Sequence, residues 1–115
     1  MHELAIAENL IDIVKKSAEQ YNIEKVKSLR IVIGELSMVF PDALEFSFNI
    51  VSKGTVAEEA QLEFVHVPIS GRCNVCKKEI TVENNIFKCP ECGSTDLKIT
   101  KGQEFYLESI EYNGN

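Results

Sequence analysis

No apolar run in this sequence approaches the roughly 18 to 20 residues needed to span a bilayer, so no membrane segment is expected. No positively charged leader with a cleavable apolar stretch follows the initiating methionine, and export is not expected either. Lysine and arginine are scattered rather than gathered in a stripe, and the formal net charge is -6. Such a chain repels phosphate backbones at long range, which argues against nucleic acid as its main partner. Catalytic signatures are missing too: there is no nucleophile motif, no phosphate-cradling glycine loop and no obvious acid and base pair, so no enzyme is expected. Histidine occurs only twice, at His2 and His66. The 115 residues suffice for one domain, or for one domain with a small appended module.

What is present is ordered along the chain in a simple way. Leu4, Ala7, Leu10, Ile11, Val14 and Ala18 recur at spacings of three and four, which predicts an amphipathic helix from Glu3 to Tyr21, closed by Asn22. Val26 to Ile33 is rich in β-branched residues and bounded by Gly34, as a buried strand would be. Pro41 suits the first turn of a second helix, whose stripe is Leu44, Phe48 and Val51, with Phe40 and Phe46 placed to widen it and Gly54 to end it. Gln61 to Val67 and Gln103 to Tyr112 read as two further strands. The expected fold is α+β: two helices packed on a small three-stranded sheet, with a four-cysteine module inserted before the last strand. The expected domains are 1–69 with 103–115, and a zinc ribbon over 70–102.

All four cysteines, Cys73, Cys76, Cys89 and Cys92, fall within 20 consecutive residues as two C-x-x-C turns separated by 12 residues. Each turn can point two sulfurs at one ion, a pattern that suits metal ligation in a reducing compartment better than a disulfide framework. The protein is accordingly read as cytoplasmic. A tetrahedral four-thiolate site suits zinc, though iron accepts the same donors. With every position filled by protein, a zinc ion there would be structural rather than catalytic. Ile80, Val82, Ile86, Phe87 and Leu97 are nearly all the apolar material of the module, so the metal should supply much of its folding energy. Pro90 and Gly93 favour the turn that aims backbone amides at the sulfurs.

The other metal chemistry lies at the N-terminus. The amine of Met1, the amide nitrogens that follow and the imidazole of His2 can close small chelate rings around a square-planar ion, a geometry that Ni(II) and Cu(II) adopt. Glu3 adds a carboxylate within reach. A frayed terminus without function is the competing reading for His2. His66, in a strand beside the module, reads as a partly buried histidine hydrogen-bonded to a neighbour, with metal contact as the alternative.

Met1-His2-Glu3 opening a helix, Gly34-Glu35-Leu36-Ser37, Val39-x-Pro41-x-x-Leu44-x-Phe46-x-Phe48, the two C-x-x-C turns and Gly102-x-Glu104 stand in an order that resembles the hydrogenase-maturation nickel metallochaperone family HypA/HybF. The resemblance extends along the whole chain. It implies a nickel domain of helices on a small sheet with an inserted zinc ribbon. It further implies nickel held by Met1 and His2, with Glu3 contributing or tuning, and zinc held by Cys73, Cys76, Cys89 and Cys92. The implied partners are the GTPase HypB and the hydrogenase large subunit, and the implied assembly is a monomer or a homodimer. The rival function is a zinc-ribbon adaptor that binds protein or nucleic acid. The charge of the module argues against the nucleic-acid version, because Glu79, Glu83 and Glu91 offset Lys77, Lys78 and Lys88.

Overall fold

A computed structural model of the chain describes residues 2–112, apart from the side chain of His2. Met1 and the His2 imidazole, the expected nickel ligands, therefore lie outside the described residues. Helix α1 runs over His2–Tyr21 and buries Ala7, Leu10, Ile11, Val14 and Ala18 of the stripe read from the spacing, whereas Leu4, at its start, is exposed. It stops where Asn22 turns left-handed (φ 56°) and the Ile23 amide reaches back to the Ala18 carbonyl at 2.8 Å, a C-terminal motif that asparagine tolerates well. Strand β1, Val26–Gly34, is the most buried segment, with Leu29, Ile31 and Ile33 almost wholly out of water.

Helix α2, Pro41–Val51, begins with proline in its first turn, where the missing N–H costs nothing, and packs against α1. Only part of its expected apolar stripe is inward. Leu44 and Phe48 are buried, whereas Phe40 and Phe46 are exposed and do not widen that face. Strand β2 occupies Gln61–Val67, and the last strand, β6, occupies Phe105–Tyr112. The sheet order β2-β1-β6 places the C-terminal strand beside β1, so the segment after the cysteines does rejoin the first sheet.

Between β2 and β6 lies a second three-stranded sheet that sequence reasoning did not resolve. Its strands are β3 (Ser70–Cys73), β4 (Glu79–Thr81) and β5 (Leu97–Lys101), in the order β4-β3-β5 with both pairs antiparallel. The chain separates into two compact units. One comprises the residues up to Val32, Val39–Val65 and those from Tyr106 onward; the other comprises Ile33–Met38 and His66–Phe105.

In the second unit the short stretch 34–36 is laced to two distant segments. Gly34 N–H donates to the Glu104 carbonyl (2.7 Å), Glu35 N–H to that of Val67 (2.9 Å) and Leu36 N–H to that of Gly102 (2.6 Å). The Glu35 carboxylate accepts from Ile69 N–H at 3.3 Å, and that of Glu104 from Gly102 N–H at 2.8 Å. These bonds give a physical role to the Gly34-Glu35-Leu36 and Gly102-x-Glu104 stretches. Close approach is the reason for glycine at 34, since a Cβ there would stand 2.2 Å from the Gly102 carbonyl oxygen.

Candidate metal centre

Strand β3 ends at Cys73, and the chain then folds back on itself to start β4. The turn is closed by Lys77 N–H to the Cys73 carbonyl (2.9 Å) and Cys73 N–H to the Lys78 carbonyl (2.9 Å). The second C-x-x-C repeats the arrangement, with Gly93 N–H on the Cys89 carbonyl (2.9 Å) and Cys89 N–H on the Ser94 carbonyl (2.8 Å). The residue after the second cysteine is left-handed in both turns, Lys77 at φ 68° and Gly93 at φ 80°. Glycine meets that demand freely and lysine does not, so the first turn was the harder one to read from sequence. Asn74 fastens the first turn to the approach to β5, its amide donating to the Asp96 carbonyl and its side chain to the Asp96 carboxylate, both at 2.9 Å. That pair of contacts had no signal in the spacing of the cysteines.

Among the described residues, the four sulfurs form the one group of three or more candidate ligands, all within 4.8 Å of one another. Cys73 and Cys92 sulfurs are 3.6 Å apart, and those of Cys76 and Cys89 are 3.7 Å apart. A zinc ion with sulfurs at ~2.3 Å in a tetrahedron needs edges of ~3.8 Å. Two of the edges are therefore already close to the right length. A disulfide would need about 2.05 Å, and all four cysteines are free.

The electrostatics of the cluster call for a cation. The Cys76 amide, 3.5 Å from the Cys73 sulfur, is the main influence that brings the Cys73 thiol down to about 6, with further help from the Val75 amide and against the desolvation of the site. The amides of Cys92 and Glu91 lower Cys89 in the same way. For Cys76 and Cys92 the amides of Lys78 and Ser94 pull downward, but desolvation and the adjoining sulfurs outweigh them. Cys76 is raised, and Cys92 is pushed up to about 11. The first cysteine of each turn is thus held toward thiolate and the second toward thiol, and four thiolates can coexist only around a positive ion.

A pH dependence follows. Zinc entering at neutral pH must displace at least the protons of Cys76 and Cys92, so its affinity should fall by at least about a hundredfold for each unit of acidification, tenfold per proton. The fall should steepen below about 6, where Cys73 also takes up a proton. Competition with a chromophoric chelator across this range measures the slope, and a flat profile would mean the thiols are not the ligands.

Around the sulfurs is a small core of Ile69, Ile80 and Val82 with Cys73 and Cys89, edged by Leu36, Leu97 and Ile99. Ile86 and Phe87, expected among the apolar contents of the module, are exposed instead. His66 is also more exposed than expected, its imidazole Nε2 standing 3.9 Å from the Glu35 carboxylate. Glu3, the described member of the expected nickel set, is buried, and its Oε2 accepts a hydrogen bond from Phe40 N–H at 3.5 Å.

Comparison with known proteins places the whole chain in company. The sequence model of the HypA family, described as hydrogenase/urease nickel incorporation, metallochaperone, matches residues 1–112. The hydrogenase maturation factor HypA of Moorella thermoacetica is 40% identical over 111 residues, covering 96% of this chain and 98% of that protein. The corresponding factor of Trichodesmium erythraeum is 40% identical over 111 residues, covering 96% and 95%. The solution structure of a HypA protein matches with a TM-score of 0.72 at 24% identity, over 98% of this chain and 97% of that one. The solution structure of the Ni metallochaperone HypA from Helicobacter pylori matches with a TM-score of 0.66 at 24% identity, over the full length of both. The two structures speak to the fold, and the sequence relatives to the family.

Proposed function

We propose, because this chain belongs to the HypA family of hydrogenase/urease nickel incorporation metallochaperones, that it binds Ni(II) at its N-terminus and delivers it during maturation of [NiFe]-hydrogenase. The family is one of metallochaperones and not of enzymes. In this reading Met1 and His2 hold nickel and Glu3 contributes or tunes, while Cys73, Cys76, Cys89 and Cys92 hold a structural zinc. The nickel domain is 1–69 with 103–115, and the zinc ribbon is 70–102. Delivery proceeds with the GTPase HypB to the hydrogenase large subunit, in the cytoplasm, by a monomer or a homodimer. No described helix is long and apolar enough to cross a membrane.

The observation that carries the reading is the closed donor set of the four sulfurs. They supply four ligands to one ion and leave no position for a cargo that must come and go, so a carrier needs a second site. The start of α1 supports that role. Glu3 is buried and held by the Phe40 amide, so the carboxylate beside His2 in sequence belongs to an ordered helix.

A nickel titration of untagged protein tests this. A diamagnetic square-planar Ni(II) spectrum is expected, with affinity falling as pH drops through about 6.5, the ordinary range of histidine. His2→Ala removes the imidazole, and one glycine added before Met1 moves the amine while keeping every side chain. Both should abolish the spectrum and leave zinc content unchanged. Unaltered nickel binding by the extended protein would remove the terminal amine from the ligand set.

A further inference from the structure

Helix α2 has a second apolar face. Opposite the buried Leu44 and Phe48, and spaced at helical intervals, lie Asp42, Glu45, Phe46, Asn49 and Ile50, all exposed. Phe46 is 69% exposed and Ile50 51%, and Phe40, at the N-cap, is 60% exposed. Single exposed apolar side chains are ordinary on a protein surface. Phe46 and Ile50, one turn apart on one short helix and edged by the carboxylates of Asp42 and Glu45, have the composition of a small apolar patch with a polar rim, the kind that marks an interaction surface.

Charge says what kind of partner fits. The unit that carries α2 contains twelve acidic and six basic side chains, whereas the cysteine-bearing unit contains six of each. The entire formal charge of -6 therefore resides on the unit that presents Phe46 and Ile50. A second copy would bring the same excess against it, whereas a basic partner would gain from the same field.

We propose that the outer face of α2 docks an amphipathic segment of a basic partner protein. Its apolar stripe would cover Phe46 and Ile50 while its lysines and arginines meet Asp42 and Glu45. Such docking would pair two amphipathic segments through apolar anchors at i and i+4, with steering by the surrounding acidic charge. The surface is defined by α2 and does not rest on the nickel reading.

The test uses the full chain and three short synthetic peptides. One has leucines on one helical face and lysines on the other, one replaces the lysines with glutamates, and one replaces the leucines with serines. The Leu/Lys peptide should bind and shift the amide resonances of residues 40–53. Phe46→Ser with Ile50→Ser should weaken that binding at least about tenfold, since the burial of the two part-exposed side chains together is worth more than one decade in affinity. Because both residues are exposed, thermal unfolding should stay where it was. Asp42→Lys with Glu45→Lys should also weaken binding, and should remove much of its salt dependence. The other two peptides should bind far more weakly. Several outcomes would overturn the proposal: no binding by the Leu/Lys peptide, equal binding by the Leu/Glu or Ser/Lys peptide, or resonance shifts confined elsewhere. A wild-type dimer in sedimentation that Phe46→Ser dissolves would assign the face to a second copy instead.

Discussion

Cys73→Ala should empty the metal site and melt the β4-β3-β5 sheet, while helical circular dichroism from α1 and α2 largely persists. The apolar core around the sulfurs has three buried aliphatic side chains, Ile69, Ile80 and Val82. At roughly 1.5 to 3 kcal/mol each, they contribute less than about 10 kcal/mol. A structural zinc in small modules contributes about 10 to 16 kcal/mol at neutral pH. Loss of the ion thus removes the larger of the two sources of stability, and the same substitution also leaves a void in the core. Elemental analysis should find one zinc per wild-type chain and less than a tenth of that in the variant, while amide dispersion collapses for residues 66–105. Iron with a visible thiolate charge-transfer band would show that the ion was misassigned. A metal-free variant retaining a dispersed spectrum in this region would show that the apolar core suffices.

Gly34→Ala is expected to be among the most damaging substitutions outside the cysteines, beside Gly71→Ala, whose Cβ would stand 2.0 Å from the Lys98 carbonyl oxygen. Position 34 is not left-handed, so the demand is for space alone. The added Cβ would meet Gly102 O at 2.2 Å and Glu104 N at 2.7 Å, all of it backbone that cannot rotate away. Relief would require parting the chain segments that share the hydrogen bonds of Gly34, Glu35 and Leu36. Overpacking of this kind costs about 3 kcal/mol or more where nothing can yield. Gly54→Ala is the contrast: its φ of 78° is unfavourable for alanine, but no atom lies within 4 Å, and the expected cost is about 1 kcal/mol. Urea unfolding of the two variants beside wild type separates steric from conformational cost. Equal midpoints for Gly34→Ala and wild type would mean that 34 and 102 are not in contact.

Local pattern and chelating spacing were enough to anticipate much of this architecture. The apolar rhythm of α1, the bounds of β2 and the proline start of α2 depend on neighbours within a few residues. So does the gathering of four sulfurs, because each C-x-x-C turn is a local chelate. Phe40 and Phe46 were misplaced because a helical period cannot distinguish a wide buried stripe from two separate apolar faces on one helix. Of the few apolar side chains counted for the module, Ile86 and Phe87 are exposed, as a module held by sulfurs has little interior to offer. The lacing of 34–36 to 67 and 102–104 joins residues far apart in sequence, which periodicity does not register. The three short strands of the cysteine unit have the same difficulty, since their partners are fixed by the turns rather than by alternation within each strand.

That lacing also governs how the chain can be cut and how it is made. The segment 33–38 emerges from the ribosome long before His66–Phe105, yet it supplies amide donors to three carbonyls of that later stretch, those of Val67, Gly102 and Glu104. Synthesis therefore holds the Gly34 and Leu36 donors in water until the last third of the chain arrives, and the cysteine unit closes late, after its metal ligands have all been translated. A fragment starting at residue 66 would carry all four sulfurs but none of the 33–38 donors, and would owe its order to the ion even more than the intact protein does.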